Sequence, residues 1–167
     1  METFSSAAKM PTVQVVLANA AFNDWEIDHI DVKSAYLNAP LKESMYMKPP
    51  HGVLKPGQEG KVCQLHKGLY GLKQAGRGWY FKMSKVFTQY LRFKRSAIDH
   101  SVFYQRMGDK HTIIAVTTDD MAVTSKRAVN ILKLKDKIWS SHLEFQKATY
   151  YCVIKYRSRI YSSNSHS

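Results

Sequence analysis

An α+β fold with antiparallel strand pairing is what this sequence predicts, and three patterns carry the expectation. The stretch Ala115-Val116-Thr117-Thr118-Asp119-Asp120-Met121-Ala122-Val123 runs from apolar to acidic and back to apolar, the pattern of a tight β-hairpin with adjacent carboxylates at its turn. Just upstream, Ser101–Met107 and His111–Val116 flank Gly108-Asp109, a strong hairpin signal of their own. Between and around these strands, apolar residues recur at helical spacing in three segments.

Composition bounds the rest. With 167 residues the chain is long enough for one domain with its own core, or for a piece of a larger one. Hydrophobic residues make up 44% and charged residues 23%, a globular balance. The 25 Lys and Arg against 13 Asp and Glu leave a formal charge of +12, which favours a polyanionic partner, nucleic acid before an anionic membrane. Cys63 and Cys152 are the two cysteines, and the N-terminus has no signal-peptide pattern, so an intracellular, reducing compartment without a disulfide is expected. No apolar run approaches the roughly 20 residues of a membrane span.

In chain order, Met1 to Met10 is polar and small and is assigned no structure. Pro11 suits a first helical turn, and Val13, Val16, Leu17 and Ala20 form one face of the helix it opens. Asn23-Asp24 ends that helix and leads into a β-like run, Trp25 to Ile30, with Asp31 at its end. A short helix-like turn follows in Val32–Asn38, closed by Ala39-Pro40. Met45-Tyr46-Met47 reads as a short strand stopped by Pro49-Pro50. His51 to Gly60, with three glycines and Pro56, is a loop, and Val62–Leu65 is a further strand.

From Gly60 to Ile98 there is no acidic residue. Leu72, Ala75, Trp79, Met83, Val86 and Tyr90 form one apolar helical stripe, and Lys73, Arg77 and Lys85 lie outside it. A solvated basic face is the ordinary reading of such a pattern. Without neighbouring acids, however, the face gains nothing from ion pairing along the helix, and phosphate is the countercharge that fits. Gly76 and Gly78 stand inside this helix at a cost of about 1 kcal/mol each relative to Ala. Arg127–Ser140 is the last helix, with Ile131, Leu134 and Ile138 on one side. The tail beyond Lys147 is aromatic and basic, then polar, and is expected to pack loosely, with at most one edge strand near Tyr151 to Tyr156.

The chemistry resides in the acids. Asp-rich turns are most often turn chemistry alone. Here Asp31 is a third acid at a strand end, and two strand-end sites can bring Asp31 and Asp119 to one sheet edge. Carboxylates held that close repel unless cations lie between them, and hard Mg²⁺ suits their oxygens. Two such ions clamp a phosphoryl transfer. The seven histidines show no zinc-ligand spacing with the cysteines, and neither a P-loop nor a nucleophile elbow occurs.

Three blocks of residues resemble the reverse transcriptase of Ty1/copia-type retrotransposons. They are His29-Ile30-Asp31-Val32-Lys33-Ser34-Ala35-Tyr36-Leu37-Asn38 with Met45-Tyr46-Met47-Lys48-Pro49-Pro50-His51-Gly52, then Leu65-His66-Lys67-Gly68-Leu69-Tyr70-Gly71-Leu72-Lys73-Gln74-Ala75 with Arg77 and Trp79-Tyr80, and then Asp119-Asp120-Met121. Their order matches, and the likeness covers about Glu2 to Phe145. The resemblance implies a polymerase palm with partial fingers over residues 1–146, an antiparallel sheet backed by helices, with 147–167 a divergent tail. It implies that Asp31 and Asp119 bind two Mg²⁺ ions, or Mn²⁺ in their place, with Asp120 as companion acid in catalysis. Tyr36 matches the aromatic under the incoming sugar, which selects deoxynucleotides by excluding a 2′-hydroxyl. Tyr70, Gly71, Leu72 and Lys73 match the segment against the template and the new base pair. Arg77 and Lys85 belong to the basic helix expected along the nucleic-acid backbone.

The implied partners are an RNA template, a DNA primer and deoxynucleotides, with no membrane. The implied setting is a polyprotein that also holds integrase and RNase H, in a cytoplasmic virus-like particle or the nucleus. Departures from the family pattern are Thr117-Thr118 where Tyr-Val is usual, Gly76 and Gly78 where Pro and a polar residue are usual, and Lys147–Cys152 where an Asp-Leu-Gly-like turn is expected. The chain is therefore expected to be a fragment. Two function classes stay open: an RNA-directed DNA polymerase, or a non-catalytic remnant that keeps the fold and binds nucleic acid.

Overall fold

Val102, Ile114, Val116, Met121 and Val123 are β-branched or otherwise apolar residues spaced to alternate across strands, and they build the centre of a five-stranded sheet. The computed structural model describes residues 7–58, 60–108, 110–140 and 152–156. Helix α1 spans Met10–Phe22, β1 Glu26–Asp31, β2 Pro40–Met47 and β3 Lys61–Lys67. Helix α2 spans Lys73–Lys85 and runs on into a π-turn, Val86–Tyr90. Next come β4 Lys94–Arg95, β5 Val102–Met107, β6 Lys110–Thr117, β7 Asp120–Ser125, helix α3 Ala128–Ser140 and β8 Cys152–Tyr156. The main sheet has the order β1-β7-β6-β5-β4, and every neighbouring pair is antiparallel. A three-stranded antiparallel sheet, β2-β3-β8, stands beside it.

Strand alternation divides the main sheet into two faces. Ile30, Phe103, Ile114, Val116, Met121 and Val123 face the larger core, where Trp79, Met83 and Phe87 from α2 and its π-turn meet Ile131, Leu134 and Ile138 from α3. Val102 and Ala115 face the other way, against Ala8 and Val16, with Val13 packed beside them. Helix α1 therefore covers one face, and α2 and α3 cover the other.

Several expectations are corrected at this level. Tyr90 is 64% exposed and lies outside the apolar stripe. The chain switches there to i→i+5 bonding, with Leu91 N–H donating to the Val86 carbonyl at 3.0 Å, and the extra residue per turn brings Phe87 into the core. The segment before α1 is fastened as well: Ala8 N–H donates to the Val116 carbonyl at 2.7 Å and Lys9 N–H to Asp99 Oδ2 at 3.0 Å. Residues 1–6 lie outside the described residues. Strand β2 begins at Pro40, five residues before the expected Met45, and carries a register irregularity between them. The short edge strand β4 was not anticipated. Of the tail, 147–151 and 157–167 lie outside the described residues, and β8 pairs with β3 as an edge strand.

Candidate active site at the acidic turn

Strands β6 and β7 close through a two-residue turn, Thr118-Asp119, between the paired residues Thr117 and Asp120. Only the first of these two turn residues, Thr118, has a positive φ, 54°. A left-handed position normally goes to Gly, and a β-branched side chain there is strained by about 1–3 kcal/mol. The turn is braced on three sides. Thr117 Oγ1 donates to the Asp120 carbonyl at 3.2 Å, Val32 N–H donates to the Asp119 carbonyl at 2.9 Å, and Trp79 Nε1–H donates to the Thr118 carbonyl at 2.7 Å.

Asp31 ends β1 directly opposite Asp120 at the start of β7. Residues paired in an antiparallel ladder share a face, so two like charges lie side by side there, an arrangement that is unfavourable without a counterion. His29, two residues before Asp31 on the same face, meets Asp120 with Nε2 3.0 Å from Oδ1. Asp119 sits in the turn itself and not on a strand. Its Oδ2 accepts a 2.6 Å hydrogen bond from the Tyr70 hydroxyl. Desolvation of the phenol, then its bond to Asp119 and that carboxylate's charge, push Tyr70 up to about 12, so it remains a donor at neutral pH. The Tyr36 and Tyr70 rings lie 4.5 Å apart at a 42° tilt.

Tyr36 arrives at this point on a 3₁₀ turn, Ala35–Asn38, preceded by Ser34 in a left-handed conformation with φ 54°. Tyr70 arrives on the loop between β3 and α2. That loop holds Gly71 at φ +91°, a conformation other residues rarely adopt, and Leu72 as the residue before the helix. Gly68 fits for a different reason. A Cβ there would lie 2.8 Å from the Tyr36 carbonyl oxygen and 2.9 Å from Ala75 Cβ, so the loop, the 3₁₀ turn and α2 pack at a distance that only glycine allows.

The basic residues divide into two groups. Lys73, exposed, and Arg77, half-buried with its guanidinium 5.4 Å from the Phe81 ring centroid, share one flank of α2 four residues apart. Lys85 is exposed at the far end of the helix, about 18 Å along the axis and about 120° around it from Lys73. Lys82 is turned inward, with Nζ donating to the Asn38 carbonyl at 2.6 Å.

The structure thus brings Asp31, Asp119, Asp120, Tyr36 and Tyr70 to one end of the main sheet, with Gly71, Leu72 and Lys73 on the adjoining loop and helix start. Lys85 lies away from them. Sequence reasoning passed over His29 and Trp79. The alternation of His29 with Asp31 on one strand was the available signal for the first. No sequence signal marks the second, because a buried tryptophan at helical spacing looks like core. Three carboxylates are hard oxygen donors of the kind Mg²⁺ takes. Among the described residues, however, no three His, Cys, Asp or Glu side chains are gathered closely enough to hold a metal ion. Asp119 and Asp120 direct oxygens to Tyr70 and His29 instead. Among the described residues, no helix is long and apolar enough to cross a membrane.

Comparison with known proteins gives this arrangement its family. The family described as reverse transcriptase (RNA-dependent DNA polymerase) matches residues 1–157. The retrovirus-related Pol polyprotein from transposon TNT 1-94 of Nicotiana tabacum is 37% identical over 141 residues, covering 84% of this chain and 10% of that protein. The Pol polyprotein from transposon RE1 of Arabidopsis thaliana is 35% identical over 74% of this chain and 8% of its own length. The Transposon Ty1-GR1 Gag-Pol polyprotein of Saccharomyces cerevisiae is 30% identical over 82% of this chain and 8% of its own. The chain thus spans about a tenth or less of these relatives, and no solved structure matches it significantly. With the Asp-Asp turn, the opposed Asp31 and the Tyr70 loop all inside the matched region, the chain belongs to the reverse transcriptase family, as a domain of the copia-type retrotransposon Pol polyproteins.

Proposed function

We propose that this domain is the palm, with part of the fingers, of an RNA-directed DNA polymerase that adds deoxynucleotides to a DNA primer on an RNA template. The observation that carries the reading is the opposition of Asp31 to Asp120 with Asp119 in the adjoining turn, three carboxylates at one sheet end that lack a cationic partner among Lys and Arg in the described contacts. On this reading Asp31 and Asp119 hold divalent cations, Mg²⁺ or Mn²⁺, and Asp120 adds negative charge beside them. Cations held there would supply Lewis-acid chemistry at the α-phosphate and the attacking 3′-hydroxyl.

The chain's own residues do the rest. Tyr36 lies under the sugar and excludes a 2′-hydroxyl. The Tyr70–Lys73 segment borders the templating base pair, and the Tyr70 hydroxyl holds Asp119 Oδ2 beside it. Lys73 and Arg77 neutralise backbone phosphate on one flank of α2, and Lys85 neutralises it further along.

A second reading, a remnant that binds nucleic acid without catalysis, is favoured by one observation: strained Thr118 occupies the turn position just before the acid, and no aromatic from Thr117 or Thr118 can pack near a primer end. Chemistry needs the 3′-hydroxyl within about 3–3.5 Å of the phosphate and in line with it, and this pair offers no ring to set that distance. The test is primer extension by the purified chain with Mg²⁺ or Mn²⁺. We expect primer–template binding with little or no extension by this stretch alone, because it spans about a tenth or less of the Pol polyproteins it matches. Template-directed extension abolished by Asp119→Asn would overturn the remnant reading, whereas absence of primer–template binding would overturn both.

A further inference from the structure

We infer that Trp79 is a positioning residue for the acidic turn: its indole N–H holds the strained Thr118 carbonyl and thereby sets where Asp119 points. The inference rests on the proposed role of Asp119, but its decisive test does not. Thr118 adopts φ 54°, a conformation that a β-branched residue keeps only where its surroundings over-determine it. Trp79 is 1% exposed and sits in the larger core between the main sheet and α2. Its Nε1–H reaches the Thr118 carbonyl at 2.7 Å, across 39 residues of sequence. A hydrogen bond from a donor fixed by packing on every side resists rotation of the peptide that follows Thr118. That peptide carries the Asp119 N–H, so its orientation sets the backbone from which the Asp119 side chain projects.

The neighbouring bonds do not replace it. Val32 N–H holds the Asp119 carbonyl, one peptide further on, and Tyr70 holds the Asp119 side chain from an exposed ring. Trp79 alone among these three partners grips the peptide between the strained residue and the acid.

The substitution Trp79→Phe keeps an aromatic ring in the core and removes the donor. On its own a loss of stability cannot separate turn-holding from packing, so unfolding free energies by urea and the amide exchange rate of Asp120 by NMR are read for the full chain, Trp79→Phe, Thr118→Gly and the double variant. If Trp79 holds the turn, Trp79→Phe speeds exchange at Asp120 about fivefold in both backgrounds, the effect of one ordinary hydrogen bond, because Thr118→Gly keeps the carbonyl. Unchanged exchange at Asp120, with the effect confined to the unfolding free energy, would show Trp79 to be a packing residue and overturn the inference.

A measurement on the unsubstituted chain guards against a variant that fails to fold. The Trp79 indole proton should exchange slowly and resonate downfield, and Thr118→Gly should leave it bonded. An indole proton that exchanges as fast as an exposed one would equally overturn the inference. Mn²⁺ titration then links the turn to the site: Trp79→Phe should weaken binding while Asp31→Asn and Asp119→Asn weaken it further. If Trp79→Phe speeds exchange at Asp120 but no protein binds Mn²⁺, Trp79 still holds the turn, and it is the proposed metal role that fails.

Discussion

Asp99 shows how much a single side chain can settle. It is 5% exposed and follows the acid-free stretch, yet its carboxylate ties the start of α1 to the loop before β5. Oδ2 accepts from Lys9 N–H and Oδ1 from Ser101 N–H, both at 3.0 Å, beside the start of α1, a helix with no acid in its own first turn. Burial acts to raise the Asp99 pKa, but the backbone bonds from Lys9 and Ser101, a Thr12 side-chain bond and the Lys9 charge outweigh it and hold the carboxyl below its ordinary value. The sign follows from that depression. The stabilisation is present above the unfolded pKa of about 3.9 and is lost as pH falls through the lower folded value. Asp99→Asn should therefore cost about 2 kcal/mol at pH 7 in urea unfolding, with the difference from the parent shrinking below about pH 4. A difference independent of pH would mean the carboxylate charge contributes nothing. The two structured glycines give opposite expectations. Gly68→Ala should destabilise by about 1–3 kcal/mol through overpacking against Tyr36 and Ala75. Gly78→Ala, whose Cβ would meet Ala39 and Pro40 at an ordinary 3.5 Å, should stabilise by up to about 1 kcal/mol. Urea midpoints of the two variants check both signs.

At the scale of elements, α2 joins the core to the surface that is expected to meet phosphate. Lys73 and Arg77 act from one flank and Lys85 from another, so they should not contribute equally. Replacing Lys73 and Arg77 by Gln should lower the salt dependence of duplex binding by about two phosphate contacts, and adding Lys85→Gln should lower it less. Fluorescence anisotropy across a salt series reads the slope, and an unchanged slope would leave these residues a solvated face. This helix also marks the limit of what was legible in the sequence. Ala75, Trp79, Met83 and Val86 were readable as a buried stripe because the 3.6-residue period holds through Lys85. Tyr90 was misplaced because the π-turn changes that period, and no side chain announces a π-turn. The two hairpins were readable from alternation and turn residues. The register that sets Asp120, and not Asp119, against Asp31 was not, because it depends on which residues occupy a two-residue turn. The third bond to that turn, from Trp79, required knowing that the helix packs under it.

For the whole molecule, three acids share one sheet end that is braced by hydrogen bonds from Val32, Trp79 and Tyr70. Two oxygens of the acid turn are engaged by Tyr70 and His29, and Asp31 faces Asp120 across the ladder. Like charges so placed are relieved by a bound cation, and the gain should appear as affinity. Tyr70→Phe frees Asp119 Oδ2 and should tighten Mn²⁺ binding about fivefold, the worth of one competing hydrogen bond. The chain matches roughly a tenth of its Pol polyprotein relatives, and cation binding at the acids is the proposed property that this stretch can be tested for by itself. The most direct measurement is an Mn²⁺ titration of the chain, followed by electron paramagnetic resonance, with Asp31→Asn and Asp119→Asn alongside and duplex binding measured in parallel. The account predicts that each substitution weakens Mn²⁺ at least about tenfold, roughly 1.4 kcal/mol, while duplex binding is unchanged or slightly tighter. Equal Mn²⁺ affinity in the parent and both variants would contradict it.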